Sequence, residues 1–221
     1  MNRRFFLEQL IGAGASLVLA KKGIIEPEKK KIIMLDPGHG MGNRKEGLYD
    51  PGAVRGDVEE AKIVIDQAQR VGEILKDGGY DVCYTREDDI VNAPLEKRAV
   101  MANERGADIF VSLHCNSADN AAAQGVRLYH YPEKDKGKEL AREVYDSLVK
   151  TLVAGVPEFE NPGKRWIGAQ DFRVLRETKM PAVLVESGFL SNDRDIKYLT
   201  EKASVVAKGI AEGIKAYLNG N

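Results

Sequence analysis

Apolar residues fall into two kinds of segment that alternate along the chain. Short, largely apolar runs occupy residues 31–35, 80–84, 109–113, 125–129 and 182–185, most of them opened or closed by Gly, Pro or Asp. Such runs read as buried strands. Between them, apolar positions recur at helical spacing over residues 60–75 and 95–104. The same spacing runs along Leu140, Ala141, Val144, Tyr145, Leu148, Val149 and Leu152, and again along Ile196, Leu199, Ala203, Val206, Ala207, Ile210 and Ile214. At about 100° per residue each set lines one face of a helix. Gly78-Gly79 stops the first helix, and residues 154–170, with Gly and Pro, read as a loop. Apolar strands separated by helices predict an α/β fold: a single domain over residues 31–218 with a mostly parallel or mixed, twisted sheet and helices on both faces. No internal repeat is present, and no second domain is left over.

Composition adds little to this picture. A chain of 221 residues suits one domain with a sizeable core. Its 33 basic and 34 acidic residues leave a net charge of −1. With no basic stretch interleaved with aromatics, no nucleic acid partner is expected. Cys83 and Cys115 are too few for a disulfide framework and too far apart for a Cys-x-x-Cys site. Each reads as a small core residue, with a single bridge between them left open.

The N-terminus adds more. Arg3-Arg4-Phe5-Phe6-Leu7 leads into a weakly apolar, small-residue stretch ending at Ala20. Residues 1–20 therefore read as an export signal resembling the twin-arginine type, and the charged residues 21–30 as a linker. The competing reading is an amphipathic helix that docks on the domain or a partner. The apolar stretch falls short of the ~20 residues that span a bilayer, so no transmembrane span is expected. No small-x-small cleavage site directly precedes Lys21-Lys22, so the signal can also be kept as an anchor. The expectation is an exported protein of the periplasm, cell envelope or extracellular space, and a monomer.

The polar residues that need explaining sit just past the strand ends. His39 follows the first strand in Asp36-Pro37-Gly38-His39-Gly40, His114 follows the third, and Glu186 follows the last in Val185-Glu186-Ser187-Gly188. Ligand crevices of open α/β sheets lie outside those ends. A fourth residue comes from the first helix, where Ile63, Val64, Ala68, Val71, Ile74 and Leu75 define the buried face. Glu60 lies near the centre of that face and Glu59 well to its side. A carboxylate aimed at the core needs a partner, and a metal held by His39 and His114 would be one. Two imidazoles and one carboxylate, with a fourth position left to water, form a known catalytic zinc set. Taken singly, each residue has a plainer explanation. A histidine after a strand is usually a hydrogen-bonded structural residue. Glu60 would be a first-turn acid favoured by the helix dipole, and Glu186 the partner of Arg86 or Arg98. Their shared edge argues for a site. His130, in Tyr129-His130-Tyr131, reads as a sheet-edge residue outside it.

These residues carry a family resemblance. The series Leu35-Asp36-Pro37-Gly38-His39-Gly40, Asp50-Pro51-Gly52-Ala53 and Glu60 resembles the zinc-dependent N-acetylmuramoyl-L-alanine amidases of type 3. Tyr84-Thr85-Arg86, the run from Ile109 to Ala118 and the run from Leu184 to Asn192 match further motifs in the same order, so the resemblance spans about residues 31–218. It implies peptidoglycan as substrate, His39, Glu60 and His114 as Zn2+ ligands, and Glu186 as the catalytic carboxylate. Asn116, close after His114, is a candidate substrate-binding residue, with a strand-end cap as its other reading. Another zinc hydrolase, such as a stem-peptide peptidase, and a catalytically dead wall-binding module are the competing functions. This chain departs from the family pattern at Met41, where a second glycine is usual, and in a longer loop over residues 42–49. No inserted plug helix is expected between 131 and 181.

Overall fold

The five apolar runs pair into one sheet, and a sixth strand that the hydrophobic pattern does not announce joins its edge. The computed structural model describes residues 29–160 and 162–220; the export signal read at residues 1–20 and most of the linker lie outside them. The chain begins with β1 (Ile32–Pro37), followed by two small hairpins, β2 (Gly40–Met41) with β3 (Tyr49–Asp50) and β4 (Val54–Arg55) with β5 (Val58–Glu59). Then come α1 (Glu60–Asp77), β6 (Asp81–Tyr84), α2 (Leu95–Arg105), β7 (Ile109–Asn116) and β8 (Arg127–His130). The remainder is α3 (Asp135–Gly155), β9 (Ile167–Ala169), α4 (Arg173–Glu177), β10 (Ala182–Phe189), α5 (Asp193–Glu201) and α6 (Ala203–Gly220).

The sheet order is β6-β1-β7-β10-β8-β9. Its first four strands are mutually parallel, and β8 runs antiparallel to β10 with β9 parallel to β8. The α/β class and mixed sheet are as expected. Alternate residues of each strand enter separate cores. Ile33, Leu35, Val111, Leu113, Val183 and Val185 pack in one cluster with apolar residues of α1, α3 and α6. Met34, Phe110, Ala182 and Leu184 pack on the opposite face with residues of α2 and α4. Burying each such Val, Leu or Phe stabilises by about 1.5–3 kcal/mol, which is why both faces of these strands are apolar. Cys83 and Cys115 are free thiols on opposite faces. With β1 between their strands and spacings of about 4.8 Å, they exceed the about 7 Å reach of a disulfide.

Three expectations need correcting. The apolar set from Ile196 to Ile214 does not make one helix, because Lys202 leaves helical geometry at φ −123° and ψ 30°. Helix α5 turns its Asp195 and Tyr198 onto β10, while α6 lies along α1 and α3, and the two directions cannot share an axis. The loop read at 154–170 contains β9, whose three residues are too short for a periodicity and are defined by pairing with β8. Because β9 covers β8, His130 is not at the sheet edge; it is buried, with Nδ1 2.9 Å from the Tyr131 carbonyl. Among the described residues no helix is long and apolar enough to cross a membrane.

Beneath the carboxyl end of the sheet lies a polar layer. Asp36 accepts hydrogen bonds from Thr85, Ser112 and Arg98, all four residues being buried. Arg98 also donates to the carbonyls of Pro37 and His39, and Arg86 to those of Pro37, Gly38 and Ala61. These two arginines tie down the backbone on which His39 stands.

Candidate metal centre

His39 has φ 59°, the single positive value among described non-glycine residues. An L-residue pays for that conformation, so the surrounding bonds must enforce it. Here the Arg98 bond to the His39 carbonyl does so from below. On the other side, His39 Nδ1 lies 3.0 Å from Asp50 Oδ2. Asp50 is held in turn by Asn43 at 2.7 Å and Arg44 at 3.0 Å. The lengthened loop is thus closed by the β2–β3 hairpin and supplies the groups behind His39. Its hydrogen bonds hold Asp50 at about 2, although burial alone would push that carboxyl up.

Glu60 opens α1 and is 4% exposed, as its place on the apolar face requires. Its Oε1 lies 2.9 Å from His114 Nδ1 and 3.1 Å from His39 Nε2, and accepts from the Cys115 amide. Its Oε2 accepts from the Ala53 amide. Burial alone would raise the Glu60 carboxyl, but the two histidines outweigh it and hold it low. The same bond raises His114 despite its burial. The rings of His39 and His114 meet edge-on with centroids 4.9 Å apart. Gly38 makes room for the His114 ring, since a Cβ there would fall 2.2 Å from His114 Cε1.

One ligand atom from each of His39, Glu60 and His114 lies within 4.8 Å of the others. Donors 2.0–2.2 Å from a tetrahedral ion stand about 3.4 Å apart, so small side-chain adjustments suffice to share one cation. Two neutral nitrogens and one anionic oxygen are suited to zinc. Beside them, in register with His114, stands Glu186. A bulge between Glu186 and Phe189 ends the regular pairing there, a device that re-aims side chains. Glu186 does not pair with Arg86 or Arg98, which are engaged elsewhere. Its Oε2 is buried without a hydrogen-bond partner. Burial raises this carboxyl to about 7, Glu60 adding to the rise and the histidines opposing it. A group at that value exchanges protons near neutral pH.

Asn116 ends β7, and its side-chain oxygen accepts from the Ser117 amide, the strand-end cap. Its carboxamide NH2 is what remains for a substrate. Two residues near the site were not singled out as members of it. Asp50 belongs to the Asp50-Pro51-Gly52-Ala53 series, whose resemblance implies no role for it, and Arg127, opposite Glu186 on β8, stands in no pattern that marks it. A groove of about 700 Å³ against Tyr145, Val149 and Val153 of α3 is lined by none of the four site residues.

Three convergent side chains able to hold a metal, and an unsatisfied acid beside them at the carboxyl edge of an α/β sheet, make a site of the kind hydrolases use. The chain belongs to the N-acetylmuramoyl-L-alanine amidase family, whose model matches residues 33–216. It is 34% identical over 199 residues to the probable cell wall amidase LytH of Staphylococcus saprophyticus, covering 88% of this chain but only 60% of that protein's length. Among solved structures it resembles the amidase AmiC2 of Nostoc punctiforme, at 31% identity and a TM-score of 0.74, over 86% of this chain and 98% of the other. The catalytic domain of CwlV from Bacillus (Paenibacillus) polymyxa matches at 32% identity and a TM-score of 0.73, over 86% and 99%.

Proposed function

We propose that the protein hydrolyses the amide joining the lactyl group of N-acetylmuramic acid to L-alanine of the peptidoglycan stem peptide. The observation that carries this reading, in a chain of this family, is the buried, unpartnered Glu186 Oε2 beside the convergent His39, Glu60 and His114. A zinc ion held by those three residues would supply Lewis acidity towards water and the scissile carbonyl. Glu186 takes the proton from the attacking water and returns it to the departing amine of L-alanine. Asp50 keeps the proton of His39 on Nδ1, which leaves Nε2 free to bind the ion. Asn116 offers its NH2 to the substrate. The paired arginines Arg3 and Arg4 support export to the cell envelope, where the substrate lies.

Purified muropeptides test the reading directly. Digestion is expected to release peptides with a free L-alanine amino terminus and saccharides with a free lactyl carboxylate. New reducing ends, or cuts within the peptide alone, would exclude it. Asp50→Asn keeps the size of the side chain but removes its charge, and is expected to weaken zinc binding by about 10–100-fold. Competition with a metal indicator measures this; unchanged affinity would mean His39 is oriented without Asp50.

A further inference from the structure

We infer that Arg127 is a specificity residue that binds a free carboxylate on the stem peptide, near the second residue from the scissile amide. This rests on the amidase reading and adds a substrate feature to it. Arg127 is the register partner of Glu186 across β8 and β10, as His114 is across β10 and β7. His114, Glu186 and Arg127 therefore form one row across the sheet, their side chains on one face.

Among the described residues the Arg127 guanidinium has no hydrogen bond, and its Nε is buried without a partner. It is instead clamped between two rings, its central carbon 4.7 Å from the Phe189 centroid and 5.0 Å from that of Trp166. Phe189 is buried and Trp166 exposed, so the clamp has a fixed inner jaw and an outer one in solvent. Lys164 stands over the other ring contact, 4.2 Å from the Trp166 centroid, and adds positive charge. Cation–π contacts of this kind use the faces of the guanidinium and leave its edge free. A flat fork of donors with a free edge is the arrangement that binds a carboxylate with two bonds.

The position selects which carboxylate. Two strand spacings separate the His114 and Arg127 strands, about 10 Å. An extended peptide advances about 3.3–3.6 Å per residue, so L-alanine and the next residue cover about 7 Å of that interval, and the length of the Arg127 side chain covers the rest. On the saccharide side, the muramic carboxyl is itself part of the scissile amide and the sugar is uncharged. On the peptide side, the second residue is a glutamate joined through its side chain, whose α-carboxylate is either free or amidated. Arg127 matches the free form.

Two muropeptides that differ only in that group, carboxylate or amide, provide the test. With wild type, kcat/KM is expected to favour the carboxylate by about tenfold to a hundredfold, the range for a charge-assisted pair. Arg127→Gln should bring the ratio close to one, mainly by raising KM for the carboxylate substrate. Arg127→Lys, which keeps the charge without the fork, should fall between them and serves if the glutamine variant does not fold. A wild type without the preference, or a ratio unchanged in the variants, would overturn the inference. If Arg127 only balanced the charge of Glu186, both substrates would slow alike. Cleavage of neither substrate at the muramyl–alanine amide by wild type would overturn the amidase reading and this inference together.

Discussion

Glu186→Gln is expected to keep zinc bound while turnover falls by roughly 10²–10⁴-fold, the loss typical of removing a general base. The glutamine fits the same half-buried space and cannot accept the proton. On the proposed assignment His39, Glu60 and His114 would supply three donors, so Glu186 would not be needed to hold the ion. Glu60→Ala is expected to lose both metal and activity. That change also strips partners from the Ala53 and Cys115 amides and leaves the two histidines facing one another. Glu59→Ala is the control, one position away. Its side chain faces Tyr49 and Lys62 rather than the histidines, so zinc content should not change. Metal content and muropeptide cleavage of all three variants decide the matter. A metal-free Glu186→Gln protein would make Glu186 a ligand, and zinc loss in Glu59→Ala would dissolve the distinction between the neighbouring acids.

Asp36→Ala is expected to destabilise the fold by about 3–5 kcal/mol, the cost of leaving one member of a buried ion pair alone. Arg98 NH1 lies 2.7 Å from Asp36 Oδ1 with both side chains 1% exposed. At about 2–4 °C per kcal/mol for a chain of this size, the midpoint of thermal unfolding should drop by roughly 10 °C. Burial alone would raise the Asp36 carboxyl, yet Arg98 and the hydroxyls of Ser112 and Thr85 win and hold it below its ordinary value. A folded-state value below the unfolded one means the contribution is complete above the unfolded value of about 3.9. It is lost as pH falls through the lowered folded value. The stability gap between wild type and Asp36→Ala, measured by urea unfolding, should therefore narrow in acid below about pH 4. A gap that is small at neutral pH, or one that widens in acid, would contradict the pairing.

What the sequence made readable follows from how each residue meets the core. Strands β1, β7 and β10 are buried on both faces, so their apolar runs stand out, and the polar residues that close those runs are conspicuous: His39 just past β1, and His114 and Glu186 inside the carboxyl ends of β7 and β10. Glu60 was readable because a helix fixes direction by period, and its buried position matches the face set by Val64, Ala68 and Val71. The unread features are those whose meaning lies in partners distant along the chain. Strand β9 exists through its pairing with β8, and the break at Lys202 through the different surfaces that α5 and α6 must meet. Arg86 and Arg98 looked like candidate partners for Glu186, but their donors are spent on carbonyls and on Asp36 some 50–60 residues away in sequence. Arg127 sits between rings contributed by Trp166 and Phe189, and no local pattern announces such a clamp.

The place of β10 in the sheet has a consequence for how the protein is made. This last strand of the chain does not join an edge; it fills the interval between β7 and β8. By the time residue 116 has been synthesised, His39, Glu60 and His114 all exist, and β6, β1 and β7 are neighbours that can pair. Glu186 enters only when β10 closes the gap, a late, long-range step of the kind that slows folding. Chains cut short before residue 182 would carry His39, Glu60 and His114, the proposed metal-binding set, without Glu186, the proposed proton-handling acid. They would also expose the bare flanks of β7 and β8, a template for association with other unfinished chains.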